Sequence, residues 1–98
     1  MKYNIIRTDK ADEGIRHTVL YLANHFGNEF ALEKLDYIEK TILLLEDNPY
    51  IGRRIDDNIY KYVMLNIKSV LYYEIHEDSN TIIIFDLKAF KENRRKND

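Results

Sequence analysis

The segment "LLLEDNPYIGRRI", residues 43–55, separates two parts of the chain whose apolar residues recur with different periods. It contains the only proline, Pro49, and one of the three glycines, Gly52. Pro49 is expected to end a helix, because the residue before a proline avoids the helical region of the φ/ψ map. Helical spacing before the segment and strand-like residues after it together predict an α+β domain.

Two helices are predicted before this segment, since apolar residues recur there every three or four positions. The two stripes are Ala11, Ile15, Val19, Leu22 and Phe26, and then Ala31, Leu35, Ile38, Ile42 and Leu45. Asp9 is the expected N-cap of the first helix, Gly27 its end and Asn28 the N-cap of the second. Because about two residues join them, the helices should fold back as an antiparallel hairpin.

The remaining segments are rich in Tyr, Val and Ile, which favour strands. They are "KYNIIR" (2–7), "IYKYVML" (59–65), "KSVLYYEIH" (68–76) and "TIIIFDLK" (81–88). The predicted order is β-α-α-β-β-β, with the helical hairpin packed on one face of a small, mostly antiparallel sheet. The expected core comprises Val19, Leu22, Leu35, Ile38, Ile42, Leu71 and either Ile83 or Ile84.

Length and composition limit the class of protein. The 98 residues fit a single domain spanning 1–98, with 89–98 as a basic tail that we expect to be mobile in the protein alone. A hydrophobic content of 45% argues against disorder, and the lack of cysteine excludes disulfides. No apolar run is long enough for a signal peptide or a membrane helix, so we expect a cytoplasmic protein.

The charge is distributed unevenly along the chain. The net charge is −2, which argues against a general nucleic-acid binder. Residues 9–47 carry nine acids against four bases, whereas residues 48–98 carry nine bases against eight acids. The basic residues are therefore concentrated toward the C-terminal half. A chance imbalance among ordinary solvent-exposed charges explains so small a difference equally simply.

No motif for a metal, a cofactor or a nucleophile is present, and none is expected. His17 and His25 lie eight residues apart, not at the four-residue spacing of helical metal ligands. His76, at the predicted end of a strand, is expected to be solvated and is only a weak candidate for proton transfer. Tyrosines beside cations can stack with nucleic-acid bases. Tyr73 is expected to be a core residue. For Tyr72, a role in stacking with bases and ordinary packing in the sheet are equally favoured interpretations.

The order of elements, the segment "LLLEDNPYIGRRI" and the aromatic strand "VLYYEI" (70–75) resemble the RelE/ParE superfamily, the toxins of type II toxin–antitoxin modules. The resemblance covers nearly the whole chain. It implies a bacterial toxin that inhibits growth, with a cognate antitoxin as partner. RelE-like members cleave mRNA on the ribosome without a metal, and ParE-like members poison DNA gyrase. The long hairpin and the Asn-Pro-x-x-Gly at 48–52 are more similar to the ParE-like branch.

The resemblance also has departures. Where cleaving members carry an arginine that stabilises the phosphate, this chain has Val70 or Ser69, depending on the register. Lys68 is close and, by strand alternation, is expected on the side of Val70. Phe90 is nearest to the C-terminal Tyr or His of many cleaving members and cannot transfer a proton. The pI near 5.9 is lower than is common in the family.

Three hypotheses follow from the resemblance. The favoured one is a ParE-like toxin that acts by binding, with target or antitoxin contacts from Arg53, Arg54, Lys68, Tyr72, Arg94 and Arg95. For Arg53 and Arg54 an equal alternative is that they offset Asp56, Asp57 or the end of the second helix. The second hypothesis is a metal-independent endoribonuclease that uses Lys68, Lys88 and Arg94 or Arg95. The third is a degenerate member that retains only antitoxin binding.

Overall fold

A computed structural model describes residues 2–90 as one α+β unit. The strands and helices are β1 (Asn4–Arg7), α1 (Asp9–Phe26), α2 (Asn28–Asp47), β2 (Arg53–Asp56), β3 (Ile59–Met64), β4 (Ser69–His76) and β5 (Thr81–Ala89). Short 3₁₀ turns occupy Pro49–Ile51, Leu65–Ile67 and Glu77–Ser79. The predicted fold class is confirmed, and the structure adds one strand, β2, in the region where a turn was expected.

The described part of the sheet has five strands in the order β1-β5-β4-β3-β2. β1 runs parallel to β5, and every other neighbouring pair is antiparallel. A parallel pair needs a long crossover connection, and here the chain between β1 and β5 contains the helical hairpin and three further strands. The sheet is therefore mostly antiparallel, as predicted.

The predicted helix caps are wrong by one residue at each N-terminus. Thr8, not Asp9, caps α1, because its Oγ1 accepts a hydrogen bond from the Ala11 N–H at 3.1 Å. Thr8 continues the extended backbone of β1, and its own N–H donates to the carbonyl of Ile84 at 3.0 Å. Gly27, with φ of 95°, joins the helices and is the N-cap of α2, so Asn28 is already helical and makes no side-chain cap.

The core lies between the helical hairpin and one face of the sheet. Its buried side chains come from both helices and from β3, β4 and β5, and include Ala11, Ile15, Leu22, Ala31, Ile38, Ile42, Leu45, Met64, Leu71, Tyr73, Ile75, Ile82, Ile84 and Leu87. Of the two alternatives on β5, Ile84 is the core residue. Val19 and Leu35 are only half-buried and pack against the core from the side.

Tyr73 connects the core to the turn after α2. It is fully buried, as predicted, and its hydroxyl donates to the carbonyl of Pro49 at 2.8 Å. The same hydroxyl accepts the N–H of Gly52 at 3.0 Å. A Cβ at Gly52 would lie 2.5 Å from this hydroxyl and 2.7 Å from the carbonyl of Lys61, so only glycine allows so close an approach. Pro49 and Gly52 therefore have the structural role that the sequence suggested.

The core assignment can be tested at Ile38, which is 0% exposed on α2. Ile38→Asp buries a carboxylate without a partner, so we expect a loss on the order of 5 kcal/mol and an unfolded protein. Leu43→Asp on the same helix is the matched control, because Leu43 is 58% exposed and its replacement should cost less than about 0.5 kcal/mol. Urea denaturation followed by circular dichroism measures both. A cooperatively melting Ile38→Asp protein would refute this core.

Tyr73 also predicts how stability depends on pH. Burial raises its pKa from 10.0 to about 12, because the phenolate is disfavoured in the core. The neutral phenol therefore contributes stability that is complete below pH 10 and is lost as the pH rises from about 10 to 12. In Tyr73→Phe this alkaline loss should be smaller than in wild type, while lost hydrogen bonds cost about 1–3 kcal/mol at pH 7.

Urea unfolding at pH 7 and pH 11 measures this difference, with Tyr21→Phe as the control at an exposed tyrosine. The control should lose as much stability as wild type between the two pH values. An equally large alkaline loss in Tyr73→Phe would contradict the assignment to Tyr73.

Candidate partner-binding surface on the sheet

The side of the sheet away from the helices forms the candidate site. Side chains alternate between the two faces of a strand, and directly opposite residues on paired strands share a face. Register then assigns to this open sheet face Asn4, Ile6, Arg53, Ile59, Lys61, Val63, Val70, Tyr72, Glu74, His76, Thr81, Ile83, Asp86 and Lys88. All of them except Asp86 are half-buried or exposed, so most of this face is uncovered within residues 2–90.

Two cations and an aromatic ring form a row across the open sheet face. Arg53 on β2 aligns with Lys61 on β3, and Lys61 aligns with Tyr72 on β4. Opposite side chains on neighbouring strands lie about 5 Å apart at Cβ, so the row is continuous. Neither Arg53 nor Lys61 makes an ion pair within residues 2–90. The row therefore presents two uncompensated positive charges to a partner.

A β-bulge places a second aromatic ring beside Tyr72. Tyr72 aligns with Asp86 and Tyr73 aligns with Ile84, so Phe85 is the extra residue on β5. The rings of Tyr72 and Phe85 lie 6.1 Å apart between centroids, at 30°. Both are half-buried, so the pair is partly available to a partner. Tyr60 differs, because its ring stacks on buried Tyr73 at 5.7 Å and belongs to the core side.

Lys88 also lies on the open sheet face, but a nearby carboxylate compensates part of its charge. It aligns with Val70 and lies 3.9 Å from a carboxylate oxygen of Asp86. Asp86 is 6% exposed and is also 3.4 Å from the Nζ of Lys10 on α1. Its other oxygen accepts the N–H of Leu87 at 2.9 Å. Lys88 therefore contributes less unpaired charge than Lys61.

Lys68 does not belong to a strand, because β4 begins at Ser69. Lys68 has left-handed backbone angles, with φ of 50°, and its carbonyl accepts the N–H of Phe90 at 2.9 Å. Strand alternation therefore does not place its exposed side chain on the face of Val70. Ser69 is fully buried and its hydroxyl donates to the carbonyl of Ile67 at 3.0 Å, so it is structural.

Arg54 lies on the other side of β2 from Arg53 and lines a separate cleft of about 590 Å³. Tyr50, His76 and Glu77 also line it. The Tyr50 hydroxyl donates to the Glu77 carboxylate, which raises the pKa of Tyr50. His76 is less solvated than expected, because it is half-buried with its Nε2 2.8 Å from a carboxylate oxygen of Glu74.

The alternative role of the two arginines, to offset nearby acids, has no supporting contact. Among residues 2–90, neither Arg53 nor Arg54 forms an ion pair with Asp56 or Asp57. Asp56 instead accepts the N–H of Asp57 at 2.9 Å. Both arginines are exposed, so their charges are available to a partner.

Arg94 and Arg95, like the rest of 91–98, lie outside the described residues, so their role stays a prediction. In residues 2–90, no three His, Asp or Glu side chains are grouped so that they could hold a metal ion. None of the helices in this part of the chain is both long and apolar enough to cross a membrane.

Sequence reasoning missed Lys61 and Phe85. Lys61 sits between two tyrosines in "IYKYVML", and alternation against Tyr60 and Tyr62 would have placed it on the face away from the core. Its alignment with Arg53 depends on β2, which was not predicted. Phe85 depends on the bulge, for which "TIIIFDLK" carries no glycine or other local signal.

Comparison with solved structures supports the same fold class. The chain is similar to the chromosomal ParDE system of P. aeruginosa, with a TM-score of 0.77 and 15% identity over 90% of this chain and 96% of that one. It is similar to the RelBE2 toxin–antitoxin complex of Mycobacterium tuberculosis, with a TM-score of 0.67 and 13% identity over 91% of this chain and 92% of that one. It is also similar to the intact RelBE complex of E. coli, with a TM-score of 0.63 and 13% identity over 89% of this chain and 95% of that one.

These solved structures, at 13–15% identity, share the fold of this chain. A search of curated protein sequences finds no match. The family model for the ParE toxin of the type II toxin–antitoxin system parDE matches residues 5–92. The chain belongs to the ParE toxin family.

Removing the charges of the row on the open sheet face should leave the stability of the fold nearly unchanged. Arg53→Ala and Lys61→Ala remove charges that have no ion pair in residues 2–90, so each should change the free energy of unfolding by less than about 0.5 kcal/mol. Urea denaturation at low and high salt measures this. Arg7→Ala is the contrasting variant, because it breaks ion pairs of 2.9 Å to Asp12 and 2.7 Å to Glu39. A loss above about 1 kcal/mol in Lys61→Ala would show that the row is structural.

Proposed function

We propose that this ParE-family toxin inhibits bacterial growth by binding DNA gyrase in the cytoplasm, and that a cognate antitoxin neutralises it. The observation that carries the proposal is the open sheet face, where the unpaired cations Arg53 and Lys61 lie in one row with the ring of Tyr72. Such a surface is suited to binding, because unpaired cations on a half-apolar patch provide both charge complementarity and apolar burial.

The distance between the groups that RNA cleavage would need supports binding over catalysis. Cleavage needs a cation at the scissile phosphate and a group that moves a proton. His76 is the histidine of the open sheet face, and Lys88 aligns with Val70, six positions from His76 on the same strand. Six strand residues span about 20 Å, so one phosphate cannot contact both groups.

The open sheet face also has the composition expected of an antitoxin contact. Ile6 and Val63 are 50% and 44% exposed, and Leu65 beside β3 is 72% exposed. Val63 lies two residues from Lys61 on the same face of β3, Leu65 is in the turn after β3, and Ile6 lies on β1 at the far edge of the sheet. A segment that carries both acidic and apolar side chains would cover them, as extended or amphipathic peptides do in protein grooves.

The endoribonuclease remains the second candidate, because one observation favours it. Tyr72 aligns with Lys61, which aligns with Arg53, so a phenol lies next to one unpaired cation and two strands from a second. A tyrosine hydroxyl can move a proton and the cations could hold a phosphate. This trio differs from the set inferred from sequence, which was Lys68, Lys88 and Arg94 or Arg95.

Two assays on the same preparations test the proposal. We expect wild type to inhibit gyrase supercoiling and to produce no codon-phased cuts in primer extension on ribosome-bound mRNA. Lys61→Ala should weaken gyrase inhibition at least about tenfold, which corresponds to about 1.4 kcal/mol of binding. Tyr72→Phe is the matched control for chemistry, because it removes the hydroxyl and keeps the ring.

The outcomes separate the three hypotheses. Codon-phased cuts that vanish in Tyr72→Phe would overturn the binding hypothesis and establish the endoribonuclease. If neither activity appears and expression does not arrest growth, while the chain still binds its antitoxin, the chain is a degenerate member. Gyrase inhibition that is unaffected by Lys61→Ala would leave gyrase as the target but refute the open sheet face as its binding surface.

A further inference from the structure

The cleft of about 590 Å³ that Arg54 lines has an aromatic lining. Ile75, 4% exposed, and half-buried Tyr60 form its apolar part. Tyr50, from the turn after α2, meets Tyr60 edge to face, with 5.9 Å between the ring centroids. Sites for small ligands are clefts of this size, lined by aromatic and aliphatic side chains with a few polar groups. This feature is called the tyrosine cleft.

Hydrogen bonds hold the walls of the tyrosine cleft in place. The Tyr50 hydroxyl donates to the carboxylate of Glu77 in the turn between β4 and β5. This bond raises the pKa of Tyr50, so the phenol stays neutral. The carbonyl of the preceding residue, Pro49, accepts the buried hydroxyl of Tyr73 at 2.8 Å. Because both turns are tied down, a ligand would bind here with little cost for ordering the walls.

Carboxylates outnumber cations in the tyrosine cleft. Asp57, Glu77 and Asp78, from two separate turns, line it against the single guanidinium of Arg54. Within residues 2–90, none of these four side chains forms an ion pair. A cleft lined by one sign of charge concentrates ligands of the opposite sign. The two tyrosine rings act in the same direction, because the face of an aromatic ring attracts cations.

The arrangement of the carboxylates favours an extended cation over a compact one. In the part of the chain that the structure describes, no three His, Asp or Glu side chains are grouped so that they could hold a metal ion. The negative charge is instead distributed along the cleft. A guanidinium is planar, stacks on aromatic rings and donates two parallel hydrogen bonds to a carboxylate. An alkylammonium is a more strongly hydrated point charge and matches this lining less well.

We propose that the tyrosine cleft binds a guanidinium group, which stacks on the ring of Tyr50 and donates hydrogen bonds to the carboxylates of Glu77 and Asp78. Arg54 opposes this ligand by charge and limits its affinity. The group is carried by small guanidino compounds and by arginine side chains, so the test includes a probe for each. The inference is independent of the proposed function, because it uses no residue of the row that contains Arg53, Lys61 and Tyr72.

Two ligands of the same shape and different charge test the inference on the unaltered full-length chain. Butylguanidinium is the cation and butylurea its neutral counterpart, each added at up to millimolar concentration to the isotope-labelled protein. We expect saturable amide shift changes centred on residues 50, 57–60 and 77–79. Butylurea should bind at least about tenfold more weakly and butylammonium at least about threefold more weakly.

A blocked Gly-Arg-Gly peptide distinguishes the two sources of the group. Binding as tight as that of butylguanidinium, or tighter, assigns the cleft to arginine side chains of a polypeptide. Weaker binding assigns it to small guanidino compounds. Both results require the same response at residues 50, 57–60 and 77–79.

Substitution of Tyr50 tests the role of the ring. Tyr50→Phe keeps an aromatic face and should leave the affinity for butylguanidinium within about twofold of wild type, whereas Tyr50→Leu should weaken it at least about threefold. Tyr50 is 49% exposed, so both variants should fold, which circular dichroism checks. Equal affinities of the two variants would contradict stacking on this ring.

Matched charge changes separate the cleft from general electrostatics. Asp78→Asn should weaken butylguanidinium at least about threefold, and Arg54→Gln should strengthen it at least about twofold, because it removes a like charge. Glu33→Gln makes the same charge change as Asp78→Asn at an exposed position of α2, and should leave the affinity nearly unchanged.

Four results would overturn the inference. They are equal binding of butylguanidinium and butylurea, weaker binding of the cation in Arg54→Gln, equal losses in Glu33→Gln and Asp78→Asn, and shift changes that are absent or centred on another surface. None of these results affects gyrase inhibition or antitoxin binding by the same preparation, so the proposed function is tested separately.

Discussion

The buried hydroxyl of Tyr73 is the contact on which the placement of the later strands depends. It donates to the carbonyl of Pro49 and accepts the N–H of Gly52, so two backbone groups of an irregular turn are satisfied from inside the core. Unpaired polar groups at this depth would cost about 1–3 kcal/mol each. Because the turn is held at this point, the chain leaves it alongside β3, and the next residues form β2.

The surface chemistry follows from that placement. Without β2, Arg53 would lie in a loop with no fixed neighbour. With β2 paired to β3, Arg53 is aligned with Lys61 and through it with Tyr72. A protein of net charge −2 thus presents a local cluster of positive charge on one sheet face. Local fields of this kind, more than the net charge, steer a charged partner toward its binding surface. This reconciles the low pI with membership in a family whose toxins are commonly basic.

The same alignment distinguishes the two candidate activities. Catalysis needs its groups within hydrogen-bond reach of one reacting centre, whereas binding can use charges spread over a surface. The open sheet face has its histidine at one end of β4 and the pairing position of Lys88 near the other. Tyr72 beside Lys61 places a phenol and an unpaired cation on neighbouring strands of this face. Whether this face binds a partner or cleaves RNA therefore depends on the Tyr72 phenol and on the cations of the same row, Lys61 and Arg53.

Local sequence determined most of the fold. The spacing of apolar residues determined both helices, and the alternation around Leu71 and Tyr73 determined the core face of β4, because burial of an apolar face imposes the period of each element. Proline chemistry determined the end of α2 at Pro49. The family resemblance was carried by the order of these elements and is confirmed by the family match over residues 5–92.

Tertiary structure alone decided the candidate site. The strand β2 exists because Tyr73 holds Gly52 close to β3, a contact between residues 21 positions apart that no local pattern reveals. Thr8 replaces Asp9 as a helix cap because its backbone is tied to β5. The neighbours of Lys61 were set by strand register, which is fixed by pairing between distant segments rather than by the propensity of either one. The sequence thus determined most of the buried positions, and only the packed sheet decided which exposed charges lie next to one another.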